Sequence, residues 1–516
     1  MDSINNNKLD TSQLSRKTSL ALQTQILRKF FNFISVIFIA RYMGVEVLGI
    51  IGFALAYVAS FNIFSDLGTG IAHRKMLAEG LDIDICNGTL ISIKSFLNFL
   101  MVLTVFSWLY IYRNILGGNF ETNELEAVIY IFIVSQFFEN FVNLNKNLWG
   151  ARLKIGIMAF FRVFGRFSAM ILTIFVCVEG YSVVHLASVS ILVALIIFLP
   201  SFLLFVKNNS IKKPNLQIIK SYMSFGIPIS ILGMITLLTL IMDKLMLGFF
   251  NGVLDVGHYT AAQRIADIMI ILTTSLSGIL FTVFSDYNSN QEYDRIQQLS
   301  MNSEKYISLT LLPFVIFIFL FSEEIMTFLF GEEFSPSGNI LSYLCVAVYF
   351  NLLRMPFTTQ ILSSGKLKLA FGISFFVLFL NIILNILLIP ESIGPFNTFG
   401  YSGDGAALAT LITFFVSGIL VRFWVYRING VIPYAGLISH YVAAIASTIS
   451  VFLFSTLFPF TIWLVIPYFL ISTLIFLLIL VLLKEFGFKE IMFYYNALNP
   501  SKMKKLIVSE FSNKKI

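Results

Sequence analysis

Cysteine, histidine and charge are all scarce in this sequence, and each scarcity closes off a class of function. There are 3 Cys in 516 residues. Cys86, Cys177 and Cys345 lie too far apart for a disulfide framework and lack metal-ligand spacing, and one of them falls in a loop of the span reading below. The 4 His residues, His73, His185, His258 and His440, are scattered. No nucleophile triad or carboxylate pair can be assembled from the sequence, and no motif calls for a cofactor or a metal. Charged residues make up 12%, too few to clothe a soluble protein of this length. The N-terminal stretch, with Lys8, Asp10, Arg16 and Lys17, lacks an apolar core followed by a small-residue cleavage site, so no removable signal peptide is expected.

What the chain does have is apolar surface. With 57% hydrophobic residues and 56 Phe, and a mean hydropathy of +0.85, it must be dissolved in lipid. The apolar runs are long and continuous rather than short and alternating, which selects helices over a barrel. Runs of the roughly 20 residues a span needs occur near 19–40, 46–66, 88–111, 125–145, 156–178, 183–206, 221–243, 258–285, 306–330, 338–362, 367–390, 403–426, 433–457 and 461–484. This is an all-α integral membrane protein of about fourteen spans. The even count puts both termini on one side. With that side inside the cell, about 25 of the 35 basic residues fall in inner loops and tails, as the positive-inside rule requires. Only Arg41, Arg113 and Lys244 fall outside. The localisation expected is therefore the cytoplasmic membrane, with both termini cytoplasmic. The same bias accounts for the net charge of +7, so no nucleic-acid partner is called for.

The connections set the organisation. Outer loops are short, the longest lying around Gly117 to Glu124 and Glu391 to Gly403. The longest polar connections, Lys207 to Lys220 and Asp286 to Lys305, are inner. The expected division is a tail (1–18), a first lobe of six spans (19–206), a linker (207–220), a second lobe of six (221–427), two further spans (433–484) and a basic tail (485–516). A faint repeat supports it. Gly44-Val45 with Gly49 is echoed by Gly252-Val253 with Gly257, and Arg152-Leu153-Lys154 by Lys366-Leu367-Lys368. Each match sets span n opposite span n+6, the mark of parallel transporter repeats.

Ala40-Arg-Tyr-Met-Gly-Val-Glu-Val-Leu-Gly49, followed by Asp66-Leu-Gly68 and Arg74, resembles the opening of the polysaccharide-export (Wzx-type, O-antigen flippase) branch of the multidrug/oligosaccharidyl-lipid/polysaccharide flippase superfamily. Three later segments, Asp243-Lys-Leu-Met-Leu-Gly248 with Tyr259-Thr-Ala-Ala-Gln-Arg264, Leu362-Ser-Ser-Gly365 through Asn381, Asn385 and Pro390, and Gly403-Asp-Gly405 through Thr410, follow in the order of that family. The resemblance implies two six-helix lobes around a V-shaped cavity, two extra helices, and export of a polyprenyl-linked glycan, with glycan polymerases or glycosyltransferases as partners.

Charge inside a span is costly, roughly 2.5–3.5 kcal/mol for Arg or Lys at a helix centre, so function should show there. Arg162 and Arg166, four apart, share a face with Ala169 and Thr173 and repel each other unless an anion lies between them. A pyrophosphate, which guanidinium contacts bidentately, would do so; snorkelling to head groups is the alternative. Arg28 shares a stripe with Gln25, Asn32 and Ser35. Snorkelling is the expectation for Lys29 and Lys94. Arg264, on a face with Thr260, Asp267 and Thr274, is open to phosphate binding or to pairing with Asp267. Arg354 either lines the cavity or serves the kink at Pro356. Glu139, on a stripe with Gln136, Asn143 and Asn147, together with Asp243 and Asp267, are candidates for coupling transport to protons or sodium, or for pairing with a nearby Arg. The tail with Ile491, Met492, Tyr494 and Tyr495 among its lysines is expected against the anionic inner leaflet.

Three competing functions remain. A glycan polymerase or ligase would need a sizeable outer loop, which this chain lacks. A drug/cation antiporter of the same superfamily usually has twelve spans and acidic cavity residues. A lipid II flippase shares both the fourteen spans and the arginines.

Overall fold

The computed structural model describes residues 11–152, 154–457 and 464–498. Twelve segments of it are long and apolar enough to cross a membrane. The first helix, α1 (Thr11–Phe61), turns on itself at Gly44, where φ is 81° and ψ −175°, a conformation glycine adopts without strain. Its two legs are two spans. With α8 (Val253–Ser289), 37 residues long, the count is roughly that expected. The others are α3 (Ile83–Asn114), α4 (Asn123–Ala151), α5 (Ile155–Val178), α6 (Val183–Asn208), α7 (Leu216–Phe250), α9 (Tyr293–Leu320), α11 (Ser337–Ser363), α12 (Leu367–Leu388), α13 (Ser402–Asn429), α14 (Leu437–Leu457) and α15 (Val465–Leu482). Short helices α2 (Thr69–Ala78), α10 (Ser322–Phe330) and α16 (Phe488–Leu498) lie between or after the spans. The only sheet among the described residues is a hairpin, β1 (Ser392–Ile393) with β2 (Phe396–Asn397).

The chain is a multi-pass membrane protein, and its surface fits that solvent. Phe96, Phe99 and Leu103 of α3 are exposed, as side chains facing acyl chains should be. Lipid gives helices no hydrophobic reason to associate, so contact rests on close packing and interior polar bonds. One such bond joins α4 to α3, where Asn140 Nδ2 donates to Asn98 Oδ1 at 2.9 Å.

Two groups of helices result. In the first, α1 packs on α5, α3 on α4, and α6 on both α4 and α5. In the second, α11 is central, against α8, α9 and α13, with α12 on α13 and the α14–α15 pair on α9. They meet chiefly where α1 crosses α8. At this crossing the sequence repeat becomes geometry. Gly252 has φ 95° and ψ −179°, nearly the values of Gly44, so both second helices start from the same turn. A Cβ on Gly49 would strike the Val253 carbonyl, and one on Gly257 the Val45 carbonyl. The second match behaves likewise, for Lys154 and Lys366 each precede a helix with almost the same backbone angles.

Several expectations are corrected. The ninth apolar run is not one span: the helix begins at Tyr293 and ends at Leu320, and Ser322–Phe330 forms α10 with Glu323 and Glu324 in its first turn. The polar stretch from Asp286 to Lys305 is mostly helix, made by the end of α8 and the start of α9. Cys86, expected in a loop, is buried on α3. The amphipathic α16 docks on α9, with Lys305 Nζ 2.6 Å from Glu490 Oε1 and Thr310 Oγ1 2.9 Å from Tyr494 OH. Its other face, with Phe488, Ile491 and Tyr495, is exposed. The tail beyond Leu498, and the stretch between α14 and α15, lie outside the described residues.

Candidate functional site

Between the two helix groups lie three neighbouring chambers that share wall residues. The most basic, of 570 Å³, is lined by Arg28 and Lys29 of α1, Lys146 of α4, Arg162 and Arg166 of α5, and Arg264 of α8. No carboxylate lines it. The second, of 490 Å³, shares Asn32, Arg166 and Arg264 with the first and runs toward the Gly44 end of the bundle. Its walls carry Ser35, Ser135, Gln136, Asn143, Thr173 and Ser190, with Glu139 the single acid. The third, of 420 Å³, shares Lys146 with the first and Asn143 with the second and is walled by α2, α4 and α7.

Helix geometry explains the convergence. Gln25, Arg28 and Asn32 recur at helical spacing, so the first leg of α1 turns one polar stripe inward while Phe30 points to lipid. On α5, Arg162, Arg166, Ala169 and Thr173 do the same. Gly165, one residue before Arg166, lets α5 close on Ile197 of α6. On α4, Gln136, Glu139, Asn143 and Asn147 pass from one chamber to the next.

These cations are poorly compensated. Arg166 Nη2 stands 3.9 Å from Glu139 Oε1, too long for a hydrogen bond. Arg28, Arg162 and Arg264 form no ion pair among the described residues, and the buried Nε atoms of Arg28 and Arg264 have no hydrogen-bond partner. Arg264 thus does not pair with Asp267, one of the two readings open for it. Like charges gathered around a low-dielectric space repel, and an anion bridging them turns that repulsion into attraction.

Two lysines depart from expectation. Lys29 does not snorkel away; it lines the basic chamber and donates from Nζ to the Asp267 carbonyl at 3.2 Å. Lys94 is buried, 2.5 Å from Asp66 Oδ1, because the turn after the second leg of α1 carries Asp66 within its reach. Lys146, counted by sequence among loop cations, is on α4 in the cavity wall. The signal that could have found it is its position one turn beyond Asn143 on the polar stripe.

The remaining candidates lie elsewhere. Arg354 does not line these chambers; it donates from Nε to Asn351 Oδ1 at 2.8 Å and from Nη1 to Ser417 Oγ at 2.5 Å. Asp267 lines none of them either. The Thr274 side chain lies outside the described residues. Asp243 is buried among α7, α8, α12 and α13. Its Oδ1 accepts from Asn385 Nδ2 at 2.8 Å and Asn381 Nδ2 at 3.1 Å, and its Oδ2 from Tyr259 OH and Thr410 Oγ1, both at 2.5 Å. Next to it, the buried Asn385 Oδ1 has no partner.

At the Gly44 end the two helix groups are fastened together. Beyond the glycine crossing, Glu121 of the α3–α4 loop accepts the Val253 N–H at 2.8 Å, and Arg41 donates to the carbonyls of Phe328 and Leu329 at the end of α10.

Residues 38–339, which carry most of the cavity wall and the crossing, match the family described as polysaccharide biosynthesis protein. The chain belongs to that family. Among curated relatives, the probable low-salt glycan biosynthesis flippase Agl15 of Haloferax volcanii is 23% identical over 413 residues, covering 79% of this chain and 82% of that one. Among solved structures, the lipid II flippase MurJ in an inward closed conformation superposes with a TM-score of 0.70 at 15% identity, over 92% of this chain and 98% of that one. A multidrug resistance MATE family transporter of the MOP superfamily, in an inward-facing conformation, gives 0.65 at 16% identity, over 78% and 94%. The fold is that of the multidrug/oligosaccharidyl-lipid/polysaccharide superfamily.

Proposed function

We propose that this protein is a flippase, not an enzyme, moving a polyprenyl-phosphate- or pyrophosphate-linked oligosaccharide from the inner to the outer leaflet of the cytoplasmic membrane for glycan assembly. The observation that carries the reading is the basic chamber, where Arg28, Arg162, Arg166 and Arg264 face one space lined by no carboxylate. A lipid phosphate is the ligand such a space suits: guanidinium groups contact it bidentately, and its charge offsets the burial cost of theirs. The adjoining chamber, walled by amide and hydroxyl side chains, suits sugar hydroxyls. The names of relatives that make glycans support the same substrate class.

On this reading the linker end of the bundle is cytoplasmic, as are both termini, in keeping with the bias of Lys and Arg toward that end. The lobes are 19–206 and 221–427, rocking about the cavity, with 433–484 as an added pair, surrounding membrane lipids as solvent and glycan polymerases or glycosyltransferases as partners. Asp243, with the orphaned Asn385 Oδ1 beside it, is the coupling site for sodium or a proton.

The test is leaflet-to-leaflet movement of a labelled short-chain polyprenyl-pyrophosphate sugar in proteoliposomes. Arg162→Ala/Arg166→Ala is expected to cut the rate by more than about tenfold, the loss of one or more charge-assisted contacts. A rate equal to that of the parent protein removes the basic chamber from the mechanism. Movement of a cationic dye without glycolipid transfer moves the protein to the drug-antiporter branch.

A further inference from the structure

The third chamber holds a cation, Arg74, that does not line the basic chamber. Arg74 of α2 and Lys146 of α4 line it, together with Asn62, Asn147 and Ser230. The one carboxylate in its wall, Asp66, is taken by Lys94 at 2.5 Å. Glu79, just past the end of α2, sits 3.6 Å from Lys75. Arg74 and Lys146 are consequently left without an ion-pair partner among the described residues. The walls are firmly set. Gly68, at φ 68°, brings α2 so close to α7 that a Cβ there would strike the Gly226 carbonyl, and one on Gly70 would come within 2.7 Å of Asn147 Nδ2.

We propose that this chamber binds a second negatively charged group, carried by the glycan itself: a carboxylate or a phosphate on a sugar. The proposal rests on the reading of the basic chamber as the lipid-phosphate site. Its chemistry is the same, an anion offsetting cations whose acidic neighbours are already engaged, but the partner is a different part of the substrate. Lys146 lines both chambers, so the two anionic groups sit within the reach of a short glycan. The amides of Asn62 and Asn147 and the hydroxyl of Ser230 supply hydrogen bonds to the sugar bearing the charge. Arg74 and Lys146 are exposed to this chamber, so an acidic glycan gains a charge-assisted contact there that a neutral one does not, and the chamber selects as well as binds.

The test uses the purified full-length protein and three fluorescent probes built on one geranylgeranyl diphosphate. The first carries a neutral disaccharide, the second the same disaccharide ending in a uronate, the third one ending in a sugar phosphate. The parent protein is expected to bind at least one acidic probe roughly tenfold more tightly than the neutral one. Arg74→Gln is expected to bring that ratio close to one, and Arg74→Lys to restore most of it. The tighter of the two acidic probes identifies carboxylate or phosphate as the group. Equal affinity for all three probes, or a ratio unchanged in Arg74→Gln, overturns the proposal. Failure of the parent reading looks different, because Arg162→Ala/Arg166→Ala would then leave the affinity for every probe unchanged.

Discussion

Glu304 is fully buried on α9, and Arg422 of α13 reaches its Oε1 from Nε at 2.9 Å and from Nη2 at 2.6 Å. The Tyr434 N–H donates to its other oxygen at 2.7 Å. Removing one partner of such a pair leaves a buried charge uncompensated, at a cost of about 3–5 kcal/mol. Arg422→Met is therefore expected to lower the melting temperature in detergent sharply, and Glu304→Gln/Arg422→Met to recover most of the loss. A double variant no more stable than the single one shows that the pair is not what holds α9 to α13. Sequence reading gave Arg422 no role, because nothing along the chain ties it to a carboxylate 118 residues away. The cavity arginines were legible for the opposite reason. Arg162 and Arg166 sit on one helical face, Arg28 on a polar stripe, and helix periodicity alone decides which way a face turns. Where a lone residue has no such stripe, as with Arg354, its neighbours are decided by the other helices.

At the scale of elements, the crossing of α1 and α8 holds the two helix groups together at the Gly44 end, and so close an approach is possible only because Gly49 and Gly257 carry no side chain. Gly49→Val would press two methyl groups and a Cβ onto the Val253 carbonyl. The helices must part, and the population shifts toward states open at that end. With Ser190→Cys in the wall of the second chamber as reporter, an impermeant maleimide added at the Gly44 side should label the Gly49→Val protein faster than its parent. The three native cysteines are buried, which keeps background labelling low. Equal labelling would mean that the glycine contact does not govern closure. The crossing was half legible: the repeated Gly-Val with a glycine five residues on was visible, but not that each glycine meets the other repeat's valine. The break between α9 and α10 was legible only in Ser322, Glu323 and Glu324, which interrupt the apolar run just after Phe321 and open α10; apolar residues resume at Ile325, so length and hydropathy still read as one span.

Across the whole molecule, α7 is the member that belongs to both helix groups. Near its start, Tyr222 OH lies 2.7 Å from His73 Nδ1 and Gly226 meets Gly68. The linker before it is fastened to the first group, with Lys212 Nζ 2.5 Å from Asp82 Oδ2. Lys212 holds the Asp82 carboxyl below the usual carboxylate range and is itself raised by it. Near its far end, Asp243 is held by α8, α12 and α13. Pro228 and Gly233 lie between the two anchorages, where a helix bends most readily. The polar linker read from sequence as the divide is thus tied down, and the flexible joint on this view lies inside a helix. If Asp243 is the coupling site proposed above, an ion bound or released there would change how firmly the far end of α7 is gripped, and the near end would carry that change to the wall of the third chamber. Asp243→Asn cannot balance a cation in so buried a site. In proteoliposomes it is expected to abolish the acceleration of glycolipid movement by an imposed sodium or proton gradient while still binding the neutral probe. Parallel sodium-only and proton-only gradients on the parent protein tell which ion is used. Acceleration undiminished in Asp243→Asn under both gradients would place coupling elsewhere, with Glu139, the one acid in the cavity's second chamber, the next residue to neutralise.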